Sequence, residues 1–446
     1  MTAMVRASRE WYGHVTGLVT GTARTWWQLL PTLLLIQVVS YSGSEVLCLA
    51  AAWLSETSQW VSLFLIAVSF VVLLSGIVIT LRLVGDHIGT PEALTATSGQ
   101  GGGGGTTMSH TLAVTLLPFL GIYATFGKIQ EAARQVVLQG FVISGNVYAD
   151  SLERLNPRTA RDYLIVSAVV VGAYVARRVL DVLREKTGRR TYGAAAAVME
   201  AFFMLSLLMA GQRVLVRIWQ WFVGRQYQVW IDDSAASLGR TLSLAHIDLP
   251  AIVAWFGHWF LSTAWPAVID TFAEPVLWLA MTALACGSQV RSLADLWQTD
   301  PGQRRSSGRR ATRALAHRAA RAGPARRAWL EFQEAFLGDV DDKYLPTWQS
   351  LRLILRVGLS FLAAFALVHA VVRFIDTGLN RVVHVMIGGH DLPFWASIDP
   401  IVSLLLTSVV EPFRLTLLAV AFHRAITWRQ AVDPATRGPV PVEVRA

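Results

Sequence analysis

Two carboxylates stand inside apolar runs, and each precedes a proline: Glu274 with Pro275, and Glu411 with Pro412. An ionisable group at bilayer depth costs about 2.5–3.5 kcal/mol on insertion scales, so it faces a bundle interior, water or a partner. Proline removes a helical hydrogen bond and disturbs the helix one turn back. Carbonyls freed beside a carboxylate are the kind of arrangement that coordinates a cation in transporters. Asp270 precedes Glu274 by four residues, on the same helical face, where two carboxylates would share a proton. The structural alternative is pairing with arginine. Arg414 follows Glu411 within one helical turn. Leu277 holds the corresponding place after Glu274, so that carboxylate needs a partner from another helix, with Arg213 a candidate. Glu200 lies near the end of its own apolar run and is expected to snorkel or to pair locally.

A second set of groups is less specific. His246, Asp248, His384, His390 and Asp391 are zinc- or copper-ligand types, but no His-x3-His or His-Glu-x2-His spacing joins them. They read as interfacial turn residues, with Asp-Leu-Pro opening the next helix, and no metal is assigned. Gly121 to Lys128 has the wrong spacing for a phosphate loop, and Gly101 to Gly105 reads as linker. Gly13, Gly17 and Gly21 form a small-residue stripe suited to close helix packing. No spacing of serine, cysteine or paired carboxylates names a reaction, so neither a catalytic residue nor a cofactor is assigned.

The third set is a charge run. Arg304, Arg305, Arg309, Arg310, Arg313, Arg318, Arg321, Arg326 and Arg327 follow one another with no acid between them. Such a segment gains about 1 kcal/mol per arginine at an anionic leaflet. It therefore reads as an arm for anionic lipid or for an acidic protein partner, including the chain's own acidic stretch at 331–342. It lacks the interleaved aromatics that stack on bases, so nucleic acid is not expected.

The elements that position these groups follow from composition. Of 446 residues, 53% are hydrophobic and only 15% charged, against roughly 25% charged in soluble domains. The fold class expected is all-α: a polytopic integral membrane bundle of about eight helices with membrane-lying amphipathic helices on the outer side. A span needs about 20 mostly apolar residues. Candidates lie near 26–40 (continuing to 54), 60–84, 111–126, 163–183, 193–216, 266–286, 351–372 and 398–422. Residues 249–264 are expected to form a separate interfacial or re-entrant helix, split off at Trp265-Pro266. The chain divides into an N-terminal interfacial segment with the first hairpin (1–84), a glycine-rich linker (85–110), hairpins at 111–183, 193–286 and 351–425, a basic-then-acidic segment (287–350) and a tail (426–446).

Charge sorting sets the orientation. Five alternate segments carry 26 Lys/Arg, while the other connections, counted with Arg213, carry 11. The positive-inside rule then places both termini in the cytoplasm and the chain in the plasma (inner) membrane of a bacterium. Most of the 17 tryptophans fall at proposed span ends. The Glu-Pro pairs, each downstream of a His and Asp-Leu-Pro, suggest an internal repeat of the last two hairpins. Cys48 and Cys286 fall near opposite faces and are expected not to pair. The function expected is a non-catalytic scaffold or subunit of a membrane or envelope complex. The alternative is an ion- or proton-coupled transporter or channel component using the Glu-Pro helices.

Overall fold

The computed structural model describes residues 2–55, 57–90, 160–187, 189–223, 255–257, 259–286 and 358–432. These are almost entirely helical, with no strand among them. The helices are α1 (Thr2–Leu54), α2 (Gln59–His87), α3 (Ala160–Thr187), α4 (Arg190–Val223), α5 (Glu274–Cys286), α6 (Leu359–Ile387) and α7 (Leu392–Val432). Four stretches are long and apolar enough to cross a membrane: Trp11–Leu54, Gln59–His87, Leu359–Ile387 and Ser397–Trp428. Thr191–Leu207 and Thr271–Cys286 are shorter apolar helices. The third expected span and the arginine run at 304–327 lie outside the described residues.

The N-terminal segment differs from expectation. It is continuous with the first span in one helix of 53 residues, about 80 Å at 1.5 Å per residue. Two of its threonines satisfy themselves within the helix, while Thr22 Oγ1 is buried without a hydrogen-bond partner among the described residues. Thr16 Oγ1 donates to the Tyr12 carbonyl (2.8 Å), and Thr20 Oγ1 to that of Thr16 (2.8 Å). Polarity here therefore does not end the helix. The glycine stripe packs as its spacing suggests at two of three positions. A Cβ on Gly17 would overlap the Arg424 guanidinium of α7, and one on Gly21 would lie 3.2 Å from Val420.

The sixth expected span also differs. No break occurs at Pro266. A π-helical turn, Phe260–Ala264, runs through a short α-helical stretch, Trp265–Val268, into a second π turn, Ile269–Ala273, and then into α5. Each π turn ends two residues before a proline, Pro266 or Pro275. Widening the turn moves the preceding carbonyls away from the proline ring, so the chain absorbs the proline without stopping. Residues 259–264 are thus continuous with the helix that follows them. In α7, Pro400 and Pro412 sit inside one helix.

α2 lies at the centre, packed against α1, α4, α5 and α7, while α3 pairs with α4 and α6 with α7. In lipid the hydrophobic effect hardly favours one helix neighbour over an acyl chain, so close van der Waals packing carries association. The seams show this. Gly76 of α2 meets Ser40 of α1 so closely that a Cβ would overlap the serine side chain. Gly85 lets Cys286 of α5 approach, and a Cβ there would be 3.1 Å from its Sγ. Arg82 Nε of α2 donates to the Ala285 carbonyl (3.2 Å), capping α5 from a neighbouring helix. Gly388 ends α6 at φ +92°, a conformation that L side chains rarely adopt, and its N–H returns to the His384 carbonyl.

Gly76→Ala is therefore expected to destabilise the α1–α2 seam by about 1–3 kcal/mol through overpacking. Ser40→Gly in the same chain should recover part of it. Thermal unfolding in detergent checks this, and an unchanged midpoint for Gly76→Ala would contradict the seam.

Both cysteines are free, as expected for thiols at different depths. Cys48 lies against Ser69 (3.5 Å) and Cys286 against the Leu81 carbonyl (3.5 Å). Those contact points are about 18 Å apart along α2.

Candidate functional site

The two Glu-Pro carboxylates come together in one polar layer across α5, α6 and α7. Glu274 begins α5 just after the second π turn and is 8% exposed. Its partner is Arg373 of α6, whose guanidinium donates directly to the carboxylate. Arg373 stands 99 positions away in the chain, and the side chain of the expected partner Arg213 lies outside the described set. Physically, α6 packs on α5 and presents an arginine at that level. The Arg373 side chain is 46% exposed and the Glu274 side chain 10%. The pair thus runs from the protein interior toward the bundle surface, and the long arginine stem carries its charge outward.

Glu411 has the predicted partner. Arg414 donates through Nε at 2.8 Å and through Nη2 at 2.5 Å, a two-pronged contact that fixes the guanidinium plane. The guanidinium carbon also sits 4.4 Å from the centroid of the Trp278 ring. Trp278 is one turn after Glu274 on α5, and this contact joins the two ion pairs. Pro412 contributes through its carbonyl, which accepts from Thr416 Oγ1 at 2.7 Å. Pro275 is buried behind Glu274. Asp270 belongs to the π turn Ile269–Ala273, and its side chain lies outside the described set.

A residue not singled out by spacing completes the layer. His369 lies one turn before Arg373 on α6 and is 1% exposed. Both Arg373 and Arg414 act on it electrostatically, and the Phe365 ring stands 6.0 Å away. Its Nε2 has no hydrogen-bond partner among the described residues. Only its four-residue offset from Arg373 in an apolar run signals it in the sequence.

Glu200 does not snorkel. It is 3% exposed and lies 3.8 Å from Arg177 of α3, which also approaches Asp181 at 3.7 Å. Arg177, an apparent interruption of the fourth span, is 5% exposed and neutralises a carboxylate across the hairpin.

Farther along, His384 donates from Nδ1 to the Asn380 carbonyl (2.8 Å), and its Nε2 lies 3.1 Å from Asp399. Its ring stacks on Trp395 at 4.8 Å. His390 Nε2 is 3.1 Å from the Ile387 carbonyl, and its ring lies on Phe394. These histidines brace the α6–α7 turn. Asp391 stands just before α7, and its carbonyl accepts from the Trp395 N–H at 3.2 Å, the helix-opening role expected of it. His246 and Asp248 lie outside the described residues. No group of three or more His, Cys, Asp or Glu able to hold a metal occurs among the described residues.

The chemistry of the layer is charge compensation: two carboxylates, two guanidiniums and one aromatic face. No known family model, curated protein or solved structure matches the chain.

Proposed function

We infer that the protein is a non-catalytic scaffold or subunit of a larger membrane complex. The observation that carries this reading is that Glu274, Glu411 and Glu200 each have an arginine against them. Groups paired in this way brace helices. Large apolar side chains on α6, with Phe374 at 78% and Met386 at 81% exposure, offer surface for lipid or for a partner helix.

In this reading the chain crosses the inner membrane eight times with both termini in the cytoplasm. Support comes from the sorting of Lys and Arg, and from α3, α4 and α5 falling where the fourth to sixth spans are expected. The arginines at 304–327 form a cytoplasmic arm for anionic lipid or an acidic partner. Purification in mild detergent is expected to retain a stoichiometric partner, and deletion of 303–327 to release it. A full chain that purifies alone and monomeric would overturn the reading.

A second reading, ion- or proton-coupled transport, has one observation in its favour. His369 is buried without an Nε2 partner among the described residues, beside both Glu-Arg pairs. It predicts that Glu274→Gln and Glu411→Gln abolish proteoliposome flux while assembly stays intact. Unchanged flux in both variants removes it.

A further inference from the structure

A cleft of about 430 Å3 opens at the other end of the bundle, lined by His14 of α1, Phe361 of α6, and His423, Arg424, Thr427 and Trp428 of α7. We propose that this cleft binds a phosphate-bearing anion, gripped by Arg424 with the imidazole of His14, while the His423 ring is held with its Nδ1 3.4 Å from Thr90 Oγ1.

Four observations lead there. Arg424 is partly buried, and no carboxylate lies against it among the described residues. A partly desolvated guanidinium gains charge-assisted hydrogen bonds from an anion brought against it. Second, its place is built. The guanidinium lies along Gly17 and Gly21 of α1, where any larger residue at 17 would displace it. Third, the walls have two characters. The His14 ring meets Phe361 at 5.6 Å and Trp428 at 6.0 Å, both edge-on, so an aromatic wall stands beside the cationic one. Thr427 spends its hydroxyl proton on the His423 and Arg424 carbonyls, each at 3.2 Å, which leaves recognition to the nitrogen groups. Fourth, Trp428 is the last residue of the apolar stretch Ser397–Trp428. The cleft therefore sits at the depth where tryptophans meet lipid headgroups.

A planar guanidinium suits phosphate oxygens through paired N–H donors. The volume accommodates a phosphodiester with its glycerol, the headgroup of an anionic phospholipid, and equally a free phosphate. Arm-bound lipid at 304–327 is common to wild type and variant, so their difference reports the cleft.

The test uses the full chain in nanodiscs. In one arm, phosphatidylglycerol is titrated into a phosphatidylcholine background and bound lipid is counted by native mass spectrometry. In the other, inorganic phosphate is titrated in phosphatidylcholine alone and read by thermal shift. Arg424→Gln is expected to weaken binding about ten- to hundredfold, the loss of charge-assisted hydrogen bonds. A loss in the first arm names the lipid as source, and a loss in the second names soluble phosphate. Folded Arg424→Gln that matches wild type in both arms overturns the proposal. Where Arg424→Gln does not fold, His14→Gln is read in the same two arms, and unchanged affinity there overturns it.

Discussion

Replacing Arg177 by leucine is expected to destabilise the α3–α4 hairpin by about 3–5 kcal/mol, the cost of stripping one partner from a buried ion pair. The side chains of Arg177 and Glu200 are 6% and 4% exposed, so neither reaches solvent easily. Without the arginine, Glu200 stays in the interior and loses the guanidinium 3.8 Å from it. Asp181, at 31% exposure, is better placed to find water or headgroups. Glu200→Leu should cost less, because Arg177 then retains Asp181 at 3.7 Å. The double replacement Arg177→Leu with Glu200→Leu should recover most of the loss, since an apolar pair of similar volume removes both desolvation penalties. The order expected is single arginine loss, then single glutamate loss, then the double variant. Unfolding in detergent, followed by circular dichroism, measures it. A double variant no more stable than Arg177→Leu would show that the ion pair is not the source of the effect.

Arg414→Leu is expected to be of similar severity, about 3–5 kcal/mol toward the lower end. The Glu411 side chain is 18% exposed and would lose both of its guanidinium contacts at once. The same change removes the cation over Trp278, so α5 and α7 lose a cross-contact as well. Arg414→Lys separates these effects. Lysine keeps the charge but has no planar fork, and it sits less well on an indole face. Its loss should be intermediate, about 1–2 kcal/mol. Trp278→Leu should cost little with Lys at 414 and more with Arg, a coupling that a double-mutant cycle reads directly. Equal losses for Trp278→Leu in both backgrounds would argue against the stacked contact.

The contrast between the two Glu-Pro sites shows what a sequence can carry. Glu411 and Arg414 are three residues apart, so helical geometry alone brings them together. Glu274 needed a partner from elsewhere, and periodicity can state that need without naming Arg373. Pairing across helices depends on which faces meet, which no local pattern records. His369 was missed for the same reason, since its meaning comes from the two arginines around it. The apolar helices α2, α6 and α7 were legible because long, predominantly apolar runs have one outcome in lipid. The length of α1 was not. Three glycines, four threonines and His14 between residues 11 and 25 read as an interfacial segment too polar to span. Hydroxyls of Thr16 and Thr20 that return to their own helix, and a glycine face that packs on α7, accompany its run into the first span as one helix. The π turns were equally hidden. Proline signals a disturbance, but whether a helix stops or widens is decided by the packing around it.

The contact of α1 with α7 has a consequence for biogenesis. α1 is the first of these helices to leave the ribosome, and α7 is the last. The Gly17–Gly21 groove on α1 therefore has no guanidinium to receive until Arg424 has been synthesised. Until then α1 and α2 form a hairpin with one seam closed and the opposite flank facing lipid or an insertase. Closure of the bundle is a late, non-local event, and a nascent chain halted before residue 392 leaves the groove open.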